Sequence, residues 1–127
     1  YCNLMKTFMI AMVALLTAAI AQAHQWTPTY PEFRPAYVNG VLITTMTIFN
    51  KRSDVRFYEI NVYDEDWNTI RFATTSKIIE VGYLERINVD VFILEQDLVN
   101  VEYICTTSKL LADDLNNGIH SKICSKV

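Results

Sequence analysis

The chain has 127 residues, of which 51% are hydrophobic and 20% are charged, and its formal net charge is −3. This balance of apolar and charged residues is typical of a globular domain. With 14 acidic against 11 basic residues and no basic run, the chain lacks the electrostatic signature of a nucleic-acid binder. Length and charge therefore predict one domain and no nucleic-acid partner.

The first apolar segment has the three parts of a cleavable secretory signal peptide. Lys6 supplies a positive charge, about a dozen apolar residues follow, and Ala21-Gln22-Ala23 forms a small-x-small cleavage site. The apolar stretch is shorter than the roughly 20 residues that span a bilayer. We expect residues 1–23 to hold upstream residues and a signal-peptide helix that begins at Met5. Cleavage leaves a mature protein that begins at His24 and has no stable membrane anchor.

Two cysteines, Cys105 and Cys124, remain after cleavage. Cysteines of exported proteins usually pair, because the compartments outside the cytoplasm are oxidising. In the chain-entropy model, closing a loop of about 19 residues stabilises the fold by roughly 3 kcal/mol. The cysteines therefore predict one disulfide in a secreted or periplasmic protein.

The mature chain opens with an extended arm, residues 24–40. Its three prolines exclude a helix and disfavour a central strand. Four aromatic residues lie among or next to the prolines: Trp26, Tyr30, Phe33 and Tyr37. Their rings either form a platform for a glycan or a peptide or cover an open edge of the domain, and we favour coverage.

Residues 41–127 alternate between short apolar segments and polar turns, and β-branched residues are frequent in the segments. The predicted strands are Val41 to Asn50, Val55 to Tyr63, Ile70 to Ala73, Lys77 to Val81, Ile87 to Ile93, Val99 to Thr106 and Ile119 to Val127. Leu110 to Asn117 is predicted to be a loop or one short helical turn. Strands at this spacing predict an all-β fold, a single immunoglobulin-like antiparallel β-sandwich.

Three of these segments resemble the N-terminal immunoglobulin-like domain of periplasmic pilus chaperones. They are Thr47-Ile48-Phe49-Asn50, Tyr58 to Asp64, and Glu85 to Val91. In that family a strand ending in Asn, a strand with a v-x-v-x-D rhythm and a late strand of alternating valines occur in this order. The resemblance covers about half of the mature chain and implies that a protein partner is bound by strand addition.

The whole chain is also similar to small signal-peptide-bearing proteins of marine tailed phages. His24 to Pro31 at one end and Ser121 to Lys126 at the other carry this similarity. It implies a phage-encoded protein that acts at the host envelope or on the virion.

The histidines suggest an alternative function, copper binding. Cleavage before His24 would place a free α-amino group beside its imidazole, and His120 could supply a second imidazole for Cu(II). The acidic turn at Asp64 to Asn68 offers oxygen ligands for Ca²⁺. Such residues more often form the polar, solvent-exposed turn of a hairpin. The primary prediction is therefore no metal and no other cofactor, with copper as the alternative.

Catalytic motifs are absent from the sequence: there is no Gly-x-Ser-x-Gly elbow, no His-Glu-x-x-His and no phosphate-binding glycine loop. The chain is thus predicted to be an exported binding or structural module and not an enzyme. The predicted partner contacts are Trp26, Tyr30 and Phe33 in the arm. Ile119 and Ile123 are the predicted contacts in the last strand, which is the candidate for strand addition.

Overall fold

The computed structural model describes residues 3–6, 9, 23–109 and 121–127. The predicted signal peptide lies largely outside these residues, and so do Ile119, His120 and the predicted loop from Leu110 to Asn117. In the described part of the chain, no helix has the length and apolarity needed to cross a bilayer.

The described residues form eight strands. They are β1 (Gln25–Thr27), β2 (Arg34–Pro35), β3 (Val41–Phe49), β4 (Phe57–Tyr63), β5 (Ile78–Glu80), β6 (Arg86–Leu94), β7 (Tyr103–Lys109) and β8 (Lys122–Lys126). In the first sheet, β3 pairs with β6 along one side and with β1 and β2 along the other. The second sheet has the order β5-β4-β7-β8. All of these pairs are antiparallel, so the predicted all-β sandwich is confirmed.

Apolar alternation places the core between the two sheets. Every second residue of β3 and of β4 is buried, because successive side chains of a strand point to opposite faces. Tyr58, Ile60 and Val62 are all fully buried on the inner face of β4, as their spacing predicts. Val89, Val91 and Ile93 of β6 face them from the first sheet.

One predicted strand is wrong, and another begins later than predicted. Ile70 to Ala73 makes only one isolated bridge, at Ala73, because this segment crosses between sheets: the Ile70 N–H donates to the Val62 carbonyl, while Ala73 pairs with Phe92. The strand predicted from Val99 starts only at Tyr103, because a 3-10 helix, Glu95–Asn100, connects β6 of one sheet to β7 of the other.

The arm forms part of the first sheet and closes one edge of the sandwich. Strands β1 and β2 pair along the edge of β3, a position that tolerates proline. Trp26 is only 4% exposed, and its indole N–H donates to the Ile104 carbonyl of the second sheet at 3.0 Å. At the C-terminal end of β8, the Lys126 N–H donates to the Thr29 carbonyl at 3.0 Å. The arm therefore bridges both sheets.

Cys105 and Cys124 form a disulfide, as the cysteine count predicts. The two residues are directly opposite each other on β7 and β8, with 4.1 Å between their Cα atoms. Because Cys105 alternates with the inward-facing Ile104 and Thr106, the bond lies on the outer side of the second sheet. It ties the last strand to its neighbour and does not link the two sheets.

Asn50 is the centre of a buried polar network at the end of β3. Its Nδ2 donates to the carbonyls of Val55 and Val81, at 2.7 and 2.8 Å. Its Oδ1 accepts from the Tyr58 hydroxyl at 2.6 Å and from the Arg52 N–H at 2.9 Å. Asn50 is completely buried, and its side-chain amide uses both of its donors and both lone pairs.

Candidate functional site

The outer face of the second sheet carries an aromatic cluster, which we call the aromatic platform: Tyr63, Trp67, Tyr103 and Lys122. Tyr63 and Tyr103 are directly opposite each other on β4 and β7. Both alternate with buried residues, so both rings lie on the outer face. Lys122, on β8, points to the same face as Cys124.

The turn after β4 brings Trp67 to this face. Asp64 accepts the N–H groups of Asp66 and Asn68 through Oδ1, each at 2.9 Å, and its backbone bonds to Trp67 and Asn68 close the turn. Trp67 has φ 65°, in the left-handed region, which a bulky side chain adopts only under constraint from its surroundings. The Asp64 carboxylate therefore holds the turn that directs the indole over the sheet.

Stacking then fixes the indole. The rings of Trp67 and Tyr103 are parallel to within 1°, with centroids 4.2 Å apart, and Tyr63 lies tilted against Trp67 at 5.7 Å. The Lys122 ammonium lies 4.3 Å from the Tyr63 centroid and 5.0 Å from that of Trp67, within the range of a cation–π interaction. Trp67 remains 49% exposed, so the platform presents indole surface to solvent.

Charges around the platform are unequally neutralised. Lys109 pairs with Glu59 at 3.1 Å. Hydrogen bonds to the Glu59 carboxylate, first from the Asn61 amide and then from Lys109, lower the pKa of Glu59. Lys126 pairs with Glu102 at 3.5 Å. Lys122 makes no ion pair with any carboxylate of the described residues, so its charge is available to an incoming anion.

The sequence pattern did not group these residues. It predicts a polar turn at Asp64 to Asn68 and assigns Tyr63 and Tyr103 to strands, whereas the meeting of their rings depends on strand register and turn shape. The available signal was a tryptophan inside an acidic turn, because a large apolar ring in a solvated loop usually has a contact to make.

The predicted contact residues of the arm differ in exposure, so they do not present one exposed set of rings. Trp26 is buried in the core, Phe33 is partly buried against it, and Tyr30 is 74% exposed. Tyr37 is fully exposed. Ile123 of β8 is partly buried and packs against the core, so its side chain serves the fold as well as the edge strand.

His24 lies in the interior. It is 2% exposed, its Nε2 is 2.8 Å from the Thr106 hydroxyl and its Nδ1 is 3.2 Å from the Ser121 hydroxyl. Burial lowers the pKa of His24 from 6.5 to about 4. Among residues 23–109 and 121–127, no group of three or more His, Cys, Asp or Glu side chains is placed to hold a metal ion. Because His120 lies outside the described residues, the copper site of His24 and His120 stays a prediction.

Comparison of the chain with protein-family models, with curated proteins and with solved structures found no match. The resemblances to pilus chaperones and to phage proteins therefore stay predictions, and the candidate site stands on its own geometry.

Proposed function

We propose that the chain is an exported, non-catalytic binding module that recognises a protein partner through the aromatic platform. The observation that carries the proposal is Trp67, whose half-exposed indole is held on Tyr103 by a closed turn. Tryptophan and tyrosine dominate the binding energy of protein interfaces. An indole already held in place also loses little side-chain entropy when a partner docks on it.

The chemistry of the platform indicates the chemistry of its partner. The indole offers a flat apolar surface, and the Lys122 ammonium beside it has no carboxylate partner among the described residues. A segment that carries an apolar or aromatic side chain next to a carboxylate would satisfy both groups. We therefore expect the partner to present such a pair.

The surroundings of His24 support the non-catalytic part of the proposal, and the disulfide supports export. His24 is buried, and its two ring nitrogens face hydroxyl groups, so it is not offered to a substrate. The disulfide suits an oxidising compartment, in agreement with export.

Trp67→Ala is expected to weaken binding of the natural partner by about 30-fold, the effect of losing an interface hot spot of about 2 kcal/mol. The partner is first captured from the native envelope or culture medium by tagged protein and identified by mass spectrometry. Its dissociation constant is then measured for the wild type, for Trp67→Ala and for Tyr37→Ala, which removes an exposed ring of the arm, just after β2 of the first sheet.

Equal affinities of Trp67→Ala and wild type for every captured protein would reject the platform. Loss of binding in both variants would point to a nonspecific aromatic effect and would also reject it. Circular dichroism melts of each variant show that the comparison is between folded proteins.

The edge of β8 favours a second candidate, strand addition. The Ser108 N–H donates to the Ser121 carbonyl at 2.8 Å. By the two-residue period, Lys122 and Cys124 therefore direct their backbone groups away from β7. No strand of the described residues pairs with that side. The open stretch is short, because Lys126 is already bonded to Thr29.

Strand addition predicts that the amides of Lys122 and Cys124 exchange with deuterium at least about tenfold more slowly in the complex. The amide of Ile123, which faces β7 in the free protein, serves as the control and should change little. Unchanged exchange at Lys122 and Cys124 would exclude strand addition at β8 and leave the platform as the whole contact.

A further inference from the structure

The free side of β6 is a second open edge, and it belongs to the first sheet. Ala73 and Phe92 exchange backbone hydrogen bonds of 2.9 and 2.8 Å on the side of β6 that faces away from β3. By the two-residue period, Arg86, Asn88 and Asp90 point their N–H and C=O groups to that same side. No strand of the described residues pairs with these three.

This open stretch has definite limits. Ala73 occupies the position beside Phe92 at one end. At the other end the chain turns away, because Glu85 and Leu84 are bonded to the backbone of Asn50. The unpaired stretch therefore runs from Arg86 to Asp90 and has Asn88 at its centre.

The side chains along this stretch are exposed and differ in charge. The Arg86 guanidinium lies 4.6 Å from the Phe49 ring centroid and makes no ion pair with a carboxylate of the described residues. Asp90 accepts a hydrogen bond from the Thr45 hydroxyl at 2.7 Å and has no described cationic partner. A cation, a neutral amide and an anion thus follow one another along a single edge.

We propose that this edge pairs with the same edge of a second copy of the chain, in antiparallel register about a two-fold axis at Asn88. In that register Arg86 of each copy lies opposite Asp90 of the other, and the two Asn88 residues lie opposite each other. All three residues gain backbone partners, and the first sheets of the two copies become continuous. The interface is isologous, as in most homodimers.

Charge selects this register over its neighbours. A shift by two residues places Asp90 opposite Asn88 and Arg86 opposite Phe92, where Ala73 already occupies the edge. A shift by one residue would place Asn88 opposite Ile87 or Val89, whose backbone groups already face β3, so the hydrogen bonds across the edge would be lost. Opposite charges across a strand pair stabilise it and like charges destabilise it, so the register with two Arg86–Asp90 pairs is preferred.

This dimer goes beyond the proposed function and does not depend on it. The aromatic platform lies on the outer face of the other sheet, so pairing through β6 leaves it exposed. A dimer would present two platforms, which increases avidity for a partner that carries repeated sites.

Charge reversal tests the dimer directly. Arg86→Asp and Asp90→Arg each bring like charges together at two places, and we expect each to raise the dimer dissociation constant by at least about tenfold. The double variant Arg86→Asp with Asp90→Arg recreates the opposite-charge pairs and should restore dimerisation. Sedimentation equilibrium measures the constants, and circular dichroism melts confirm that each variant is folded.

Hydrogen exchange locates the interface. The amide of Asn88 should exchange more slowly as the protein concentration rises, whereas the amide of Lys122 should not. A wild-type protein that stays monomeric at millimolar concentration would overturn the proposal. A dimer that is unaffected by either single reversal, or not restored in the double variant, would overturn it as well.

Discussion

Replacing Asn50 by alanine should lower the free energy of unfolding by about 4 kcal/mol, since a buried polar group that loses its partner costs about 1–3 kcal/mol. The change leaves the carbonyls of Val55 and Val81 without their donor and removes the acceptor of the Tyr58 hydroxyl and the Arg52 N–H. These groups lie at a completely buried position, where water cannot replace the amide without rearrangement. Part of the cost is recovered by relaxation, so the full sum is not expected.

Urea unfolding measures this effect, and two further variants calibrate it. Asn61→Ala removes one partly buried hydrogen bond, to Glu59, and should cost no more than about 1 kcal/mol. Tyr58→Phe removes one donor to Asn50 and should cost an intermediate amount. An Asn50→Ala protein no less stable than Asn61→Ala would show that the network does not organise this end of the sandwich.

Acidification from about pH 6.5 to about pH 4 is expected to destabilise the fold by about 3 kcal/mol through His24 alone. Burial lowers the pKa of this imidazole from 6.5 to about 4 in the folded protein. The unfolded chain therefore binds the proton first as the pH falls. The stabilisation is fully present above pH 6.5, decreases between the two values, and decreases no further below about pH 4 from this group.

A His24→Gln variant isolates the contribution of the imidazole. It should be less stable than the wild type at pH 7, because the hydroxyls of Thr106 and Ser121 lose their present partner, but its stability should vary little between pH 4.5 and 6.5. Arg52 lowers the pKa of Asp54, and Asn61 with Lys109 lowers the pKa of Glu59. Protonation of these carboxyls therefore reduces the stability only at lower pH. A wild type and a variant with parallel pH profiles would contradict a buried neutral His24.

Local rules account for the parts of the fold that the sequence predicts well. The alternation of Tyr58, Ile60 and Val62 identifies an inner face wherever a strand is half-buried, whatever its neighbours are. The predicted cleavage removes Cys2, which leaves Cys105 and Cys124 to pair, and these two form the disulfide. Proline in the arm limits it to the edge of a sheet, because proline has no backbone N–H to donate to a neighbouring strand. The strand faces and the edge position of the arm need only near neighbours in sequence, and the disulfide needs only a count of the cysteines.

Connections between the sheets were harder to predict. The apolar content of Ile70 to Ala73 suits a strand, but the segment crosses from β4 to the edge of β6 and makes only an isolated bridge at Ala73. Val99 is apolar as well, yet it lies in the 3-10 helix that carries the chain to the second sheet. The composition of these segments predicts that their side chains contact other apolar residues. Only the arrangement of the two sheets determines which residues they contact and whether the backbone forms a strand.

By itself the sequence determined the class of fold, the face of each long strand and the disulfide. The frequent β-branched residues indicate strands, the two-residue alternation of apolar side chains identifies their inner faces, and the two cysteines left after the predicted cleavage allow one pairing. Tertiary structure alone decided the candidate site. Trp67 meets Tyr103 because the register of β4 on β7 and a left-handed turn bring together residues far apart in the chain. His24, at the start of an arm, became a core residue only because that arm bridges both sheets. Such contacts depend on several long-range pairings at once, which no local pattern of residues specifies.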